Sequence, residues 1–128
     1  MSDPVFLTVD QVLEIHRRGI ELHGGSIELR DRGLLESAVA MPAARFGGQY
    51  LHPGLAAMAA AYLFHLCKNH PFVDGNKRVS ITCAEVFVEI NGSRLVATDK
   101  QLEKLTLGVA DSSISKDAAT EFFESHVK

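Results

Sequence analysis

Two cysteines, four prolines and no long apolar run mark this chain first by what it lacks. Two cysteines, Cys67 and Cys83, are too few for a disulfide scaffold, and a domain of this length has no need of one staple. Both fall in apolar helical stretches, so we expect free, buried thiols. The longest apolar run, Leu55 to Phe64, ends at His65 and is roughly half of what a membrane span requires. The opening residues Met1-Ser2-Asp3-Pro4 have neither the basic region nor the apolar stretch of a secretory leader. These absences predict a cytoplasmic protein with no membrane partner. There is no excess of positive charge either: Lys plus Arg number 13 against 16 Asp plus Glu, a formal net charge of -3. Broad binding to a phosphate backbone needs a basic footprint, so nucleic acid is not an expected partner. No repeat and no low-complexity tract is visible.

What is present is a succession of helical signals. Residues 1–128 are about one domain's worth of chain, long enough to bury a substantial core. Thr8 and Gln11 form a capping-box pair, followed by Val9, Leu13, His16 and Ile20 on one helical stripe; Gly24-Gly25 stops that helix. A second helix is expected from Arg32 to Met41, ended by Pro42. A third, Gly54 to Asn69, is apolar nearly all round and belongs in the middle of the domain. A fourth starts at Gly75-Asn76 and closes at Asn91-Gly92. Thr98 with Gln101 caps a fifth, and Ser115 caps a sixth. Gly47-Gly48 marks a loop. Ser93 to Ala97 is the one extended candidate, too short to make a sheet alone. The predicted fold class is all-α, a compact bundle of about six helices with at most a short extended flap.

One stretch differs from scaffold: His70-Pro71-Phe72-Val73-Asp74-Gly75-Asn76-Lys77-Arg78. It joins the most buried helix to the next. Gly75 and Asn76 sit where a helix begins, with free N–H groups and the positive end of the helix dipole, a setting for phosphate. Lys77 and Arg78 add positive charge that the dipole alone disfavours there, which points to a bound anion. Asp74 offers a hard carboxylate oxygen for Mg²⁺. His70 is suited to take a proton from an incoming hydroxyl. Phe72 is expected to point inward and anchor the loop. Base, metal ligand and phosphate cradle are the parts of a phosphoryl- or nucleotidyl-transfer site, although the Gly-rich run of a Walker loop is missing. A capped interhelical turn with a solvated basic first turn is the alternative reading. Lys68, Lys77 and Arg78 against Asp74 give residues 68–78 a net +2, leaving -5 for the rest of the chain.

The nine-residue stretch resembles the signature of the Fic/Doc superfamily, with every fixed position met. Leu13-Glu14-Ile15-His16, Gly24-Gly25 and Arg30 to Ala38 look like the N-terminal half of its Doc (death-on-curing) branch, so the resemblance covers nearly the whole chain. It implies a helical Fido fold, use of ATP and Mg²⁺, and transfer to a protein hydroxyl. Within it His70 would be the general base, Asp74 would hold Mg²⁺, Gly75 and Asn76 would cradle phosphate, and Lys77 and Arg78 would neutralise phosphate charge. Typical Fic adenylyltransferases have Gly where this chain has Lys77, and a second Arg where it has Ile81. Both differences match the Doc-like branch, which presents the nucleotide in the reverse sense and transfers the γ-phosphate. Gly75 and Pro71, by contrast, are Fic-type residues.

The resemblance therefore implies a toxin kinase acting on Ser or Thr of a host protein, the translation elongation factor that delivers aminoacyl-tRNA being the suspected target. Adenylyl transfer and a non-catalytic binding module remain the alternatives. Thr120 to Glu124 approaches the inhibitory motif of Fic proteins, but Ser125 follows where Gly or Asn is required. Control is thus expected from a separate antitoxin whose tail folds into a helical groove. His16 is read as a satisfied core histidine, Arg30, Asp31 and Arg32 as a helix-start charge cluster, and Tyr50 and His52 as residues near enough in the chain to line the cleft.

Overall fold

A computed structural model describes residues 3–128. Six helices form: α1 (Val9–His23), α2 (Arg32–Ala40), α3 (Leu55–Asn69), α4 (Asn76–Ile90), α5 (Asp99–Ala110) and α6 (Lys116–His126). The fold is all-α, with a short two-stranded flap. Both capping boxes close as their sequences demand: Thr8 and Gln11 exchange backbone and side-chain bonds, as do Thr98 and Gln101. The Ser115 hydroxyl accepts from the Ala118 N–H to start α6. Gly24, at φ 86°, ends α1. Past α2 the chain tightens into a 3₁₀ turn, Met41–Ala43, because Pro42 cannot donate the next helical bond.

Helix α3 is the centre. Met58 through Leu63, Leu66 and Cys67 are all buried, and α2, α4, α5 and α6 pack around it. Three consecutive alanines, Ala59 to Ala61, let these neighbours approach, while Tyr62, Phe72, Phe87 and Phe123 fill the space between. The buried Tyr62 hydroxyl keeps a partner, the Leu7 N–H at 2.9 Å. Cys67 and Cys83 are free and buried, and burial pushes the Cys83 thiol up to about 12, so both behave as small apolar residues. Among the described residues no helix is long and apolar enough to cross a membrane.

The extended structure differs from expectation in place. Ser93 to Ala97 does not form a strand. Leu95 makes one isolated bridge to Val127, and its neighbours exchange two further backbone bonds with the chain's end, a single pairing with no second strand to extend it. The two-stranded sheet instead lies at β1 (Arg45–Phe46) and β2 (Gln49–Tyr50), antiparallel. Gly47 and Gly48 join them with φ of 60° and 81°, the paired left-handed conformation of a type I′ turn. Tyr50 donates to Asp3, and the ring of Phe6 bridges Tyr50 and Phe87. The flap is thereby fastened beside the C-terminal half of α4, away from the His70 turn.

His52, just before α3, and His65 within it turn their Nε2 atoms to Lys116 of α6, at 3.1 and 3.3 Å. An ammonium only donates, so both Nε2 atoms are acceptors. Desolvation first, then the Lys116 charge, lowers both imidazoles, His65 to about 4. An unfolded chain protonates His65 near pH 6.5, whereas in the folded chain His65 resists until near pH 4. This contribution to stability is therefore complete above pH 6.5 and lost as pH falls toward 4. Thermal melts across that window should show a steeper drop for the wild type than for His65→Gln; parallel curves would contradict the assignment.

Candidate active site

The turn from α3 to α4 is shaped by bonds from outside itself. His70 ends α3 in the left-handed region at φ 50°, a conformation that costs a non-glycine residue about 1–2 kcal/mol. Arg30 offsets that cost. Its Nε donates to the His70 carbonyl at 2.7 Å and its Nη2 to the Asn69 carbonyl at 2.9 Å, a fork across the unsatisfied end of α3. The N–H groups of Arg30 and Asp31 both donate to the Pro71 carbonyl, at 2.8 and 3.0 Å, and the Val73 N–H donates to the Glu28 carbonyl at 3.0 Å. The segment between α1 and α2 thus runs against the turn like a partner strand, with a bridge between Leu29 and Phe72.

Inside the turn, Phe72 is fully buried and stacks on His16, centroids 3.6 Å apart and rings within 8° of parallel. His16 Nε2 lies 2.7 Å from the Asp74 carbonyl. Asn76, 5% exposed, spends both ends of its amide on one residue: Oδ1 accepts from the Phe72 N–H at 3.0 Å and Nδ2 donates to the Phe72 carbonyl at 2.8 Å. Gly75 has φ 78°, and a Cβ there would meet Ile20 at 3.3 Å and His16 at 3.4 Å. Glycine is thus required both by the backbone and by the tightness of the turn against α1.

Around this rigid turn the charges face outward. A cleft of about 490 Å³ is lined by Cys67, His70, Asp74, Gly75, Lys77 and Arg78, among others. The His70 ring is exposed and has no hydrogen-bond partner among the described residues. Asp74 Oδ2 accepts from the Ser26 N–H at 2.8 Å, which fixes the carboxylate, while Oδ1 has no hydrogen-bond partner among the described residues. Lys77 and Arg78 are exposed, and neither is in an ion pair among the described residues. The first amide of α4 with an internal acceptor is Val79, bonded to the Gly75 carbonyl at 2.9 Å. The N–H groups of Asn76, Lys77 and Arg78 have no acceptor among the described residues, as at any helix start. Open amides, the positive dipole end and two unpaired cations make this end of the cleft strongly anion-attracting.

All six residues singled out in the sequence therefore share one cleft. The Asn76 side chain faces inward and is fully spent on Phe72, so only its backbone N–H faces the cleft. His16 is a satisfied core histidine, 3% exposed, and Phe72 anchors the turn, both as expected. Tyr50 and His52 do not line the cleft; they sit with the flap and beside α6. Of the charge cluster, Asp31 does cap α2, accepting from the Leu34 N–H at 2.9 Å, and Arg32 lies 3.9 Å from Glu36. Arg30 instead reaches to α3, a role no local spacing announces. Ser26, whose N–H fixes Asp74, was also invisible, because a backbone donor leaves no mark in the side-chain pattern.

The donor set suits Mg²⁺ of the nucleotide-bound kind. Such an ion keeps several waters and takes one or two carboxylates together with phosphate oxygens. A fixed carboxylate with one free oxygen, beside an anion-attracting helix start, meets that need. Among the described residues no group of three or more His, Cys, Asp or Glu side chains forms a closed cage for another metal.

Comparison with known proteins agrees with this geometry. The sequence model of the Fic/DOC family matches residues 6–88, which include the whole turn. The chain is 47% identical over 74 residues to a protein named Toxin Doc from Mycolicibacterium smegmatis, a match covering 58% of this chain and 57% of that one. The matched part thus spans a little over half of that relative's length. It is 27% identical over 115 residues, 90% of each chain, to the Protein kinase doc of Escherichia phage P1.

Replacing Asn76 by Ala would leave a buried N–H and a buried carbonyl of Phe72 without partners. We expect a loss of about 2–4 kcal/mol in denaturant unfolding. A loss below about 1 kcal/mol would show that the turn does not depend on this side chain.

Proposed function

The chain belongs to the Fic/DOC family, and from that premise we propose that it is a Doc-like toxin that transfers the γ-phosphoryl group of ATP to a Ser or Thr hydroxyl of a host protein. The observation that carries this reading is the meeting in one cleft of an unpartnered imidazole, a fixed carboxylate with a free oxygen, and an unpaired Lys-Arg pair on open helix amides. The name of the phage relative, a protein kinase alignable over nine-tenths of both chains, supports phosphoryl transfer.

The chemistry follows from placement. The amides of Asn76, Lys77 and Arg78 hold the nucleotide's phosphates at the start of α4, with Lys77 and Arg78 countering the charge that builds on the transferring group. Asp74 would hold Mg²⁺ through its free carboxylate oxygen, and the ion would supply charge neutralisation to the phosphates. His70 takes the proton from the acceptor hydroxyl as its oxygen bonds to the γ-phosphorus, and the bond to the β-phosphate oxygen breaks to release ADP. A preformed turn suits this reaction, which asks mainly for positioning and electrostatics.

Gly75 and Pro71, the Fic-type residues, favour a second reading in which AMP is transferred. On the proposed reading the protein acts in the cytoplasm, and the translation elongation factor that delivers aminoacyl-tRNA is the suspected substrate. A cognate antitoxin supplies control. Its seat is the groove of about 500 Å³ between α1 and α4, where Leu7, Ile15, Ile20, Val79, Val86 and Ile90 present an apolar floor and Arg78 stands at the catalytic end.

ATP labelled separately at the α and γ positions, incubated with the protein, Mg²⁺ and a cell extract, decides between the readings. Label on a target from the γ position alone is expected, with His70→Ala reducing it at least about 100-fold. Label from the α position alone would overturn the kinase reading, and undiminished labelling by His70→Ala would overturn the role of His70.

A further inference from the structure

His16 does more than fill the core. Its ring lies face to face with Phe72, and its Nε2 is 2.7 Å from the Asp74 carbonyl. A carbonyl only accepts, so Nε2 must carry the hydrogen. That bond acts on the residue whose carboxylate faces the cleft and on the peptide unit that leads into Gly75. The backbone is close-set around this bond: a Cβ added to Gly75 would lie 3.4 Å from His16 Nε2, and one added to Gly25 would lie 3.3 Å from Asp74 Cβ. The Asp74 backbone is thus held by α1 from below, while Ser26 holds its carboxylate from the side. Helix α1 and the turn, far apart in the chain, are joined through one ring.

We propose that His16 is a positioning residue for the transfer reaction: its Nε2–H, acting on the Asp74 carbonyl, sets the direction of the Asp74 carboxylate and the start of α4. This rests on the reading of the Asp74–Arg78 segment as the transfer site. A histidine is suited to this place because it combines a flat ring to stack on Phe72 with a rigidly aimed donor. Phenylalanine would keep the first and lose the second; glutamine would keep a donor and lose the ring. His16 also lines the α1–α4 groove, so whatever fills that groove touches the residue that supports the turn.

The test compares His16→Phe and His16→Gln with the wild type. Histidine nitrogen NMR of the wild type should show a hydrogen on Nε2 of His16; an unprotonated Nε2 would overturn the proposal without any variant. In His16→Phe, amide exchange across residues 72–76 should quicken about 10-fold or more, and the Mg²⁺ concentration for half-maximal transfer should rise, with kcat down about 10–100-fold and the KM for the acceptor protein unchanged. His16→Gln should recover most of the lost kcat. Wild-type exchange and Mg²⁺ requirement in His16→Phe would overturn the proposal. If His16→Phe does not fold, the wild-type NMR and the Gln variant decide. If the wild type transfers neither phosphate nor AMP, the transfer reading falls by itself, while the NMR and exchange measurements still judge the hold of His16 on the turn.

Discussion

Asn76 closes the turn on which everything else at this site depends. By returning both ends of its amide to Phe72, four residues earlier, it converts a loop into a fixed ring of chain at the start of α4. That ring needs Phe72 in the core, which places it against α3 and His16. It needs Gly75 in a left-handed conformation, which brings the chain close to α1. It also fixes where α4 begins, and hence where three open amides and the Lys77-Arg78 pair point. A loop free to move would have to be ordered each time an anion bound; here that entropy is lost once, on folding.

The bundle supports the turn from three directions. Helix α3, packed on by α2, α4, α5 and α6, presents its C-terminal carbonyls to Arg30. Helix α1 lies beneath, through His16 and Ile20. The segment between α1 and α2 pairs with residues 71–73 and supplies the Ser26 N–H to Asp74. The site is consequently made of backbone geometry on its inner side and of unpaired charge on its outer side. Mild overall acidity conceals this, because the five negative charges in excess lie elsewhere in the chain and the cations stand unpaired at one helix start.

Much of this could be read from the sequence, for identifiable reasons. Helix starts were legible because Thr8, Thr98 and Ser115 cap through their own side chains, and α3 because an all-round apolar pattern has one stable location. The cleft residues were legible because their chemistry is concentrated in nine consecutive positions. What was hidden depends on contacts between distant segments, the Arg30 fork and the Ser26 amide, or on a side chain's direction, as in the inward turn of Asn76. The flap was misplaced because Ser93 to Ala97 has strand-like residues but only the chain's end beside it. Gly47-Gly48 carries the two consecutive left-handed residues that a tight hairpin requires.

The central claim is that the turn is already in its working shape before any nucleotide arrives. A crystal structure of the protein with a non-hydrolysable ATP analogue and Mg²⁺ tests this most directly. Phosphate oxygens are expected at the amides of Asn76, Lys77 and Arg78 and the metal on Asp74, with the turn backbone displaced by less than about 1 Å from its nucleotide-free form. Phosphates bound elsewhere, or a turn in which Asn76 has released Phe72 to reach the nucleotide, would contradict it.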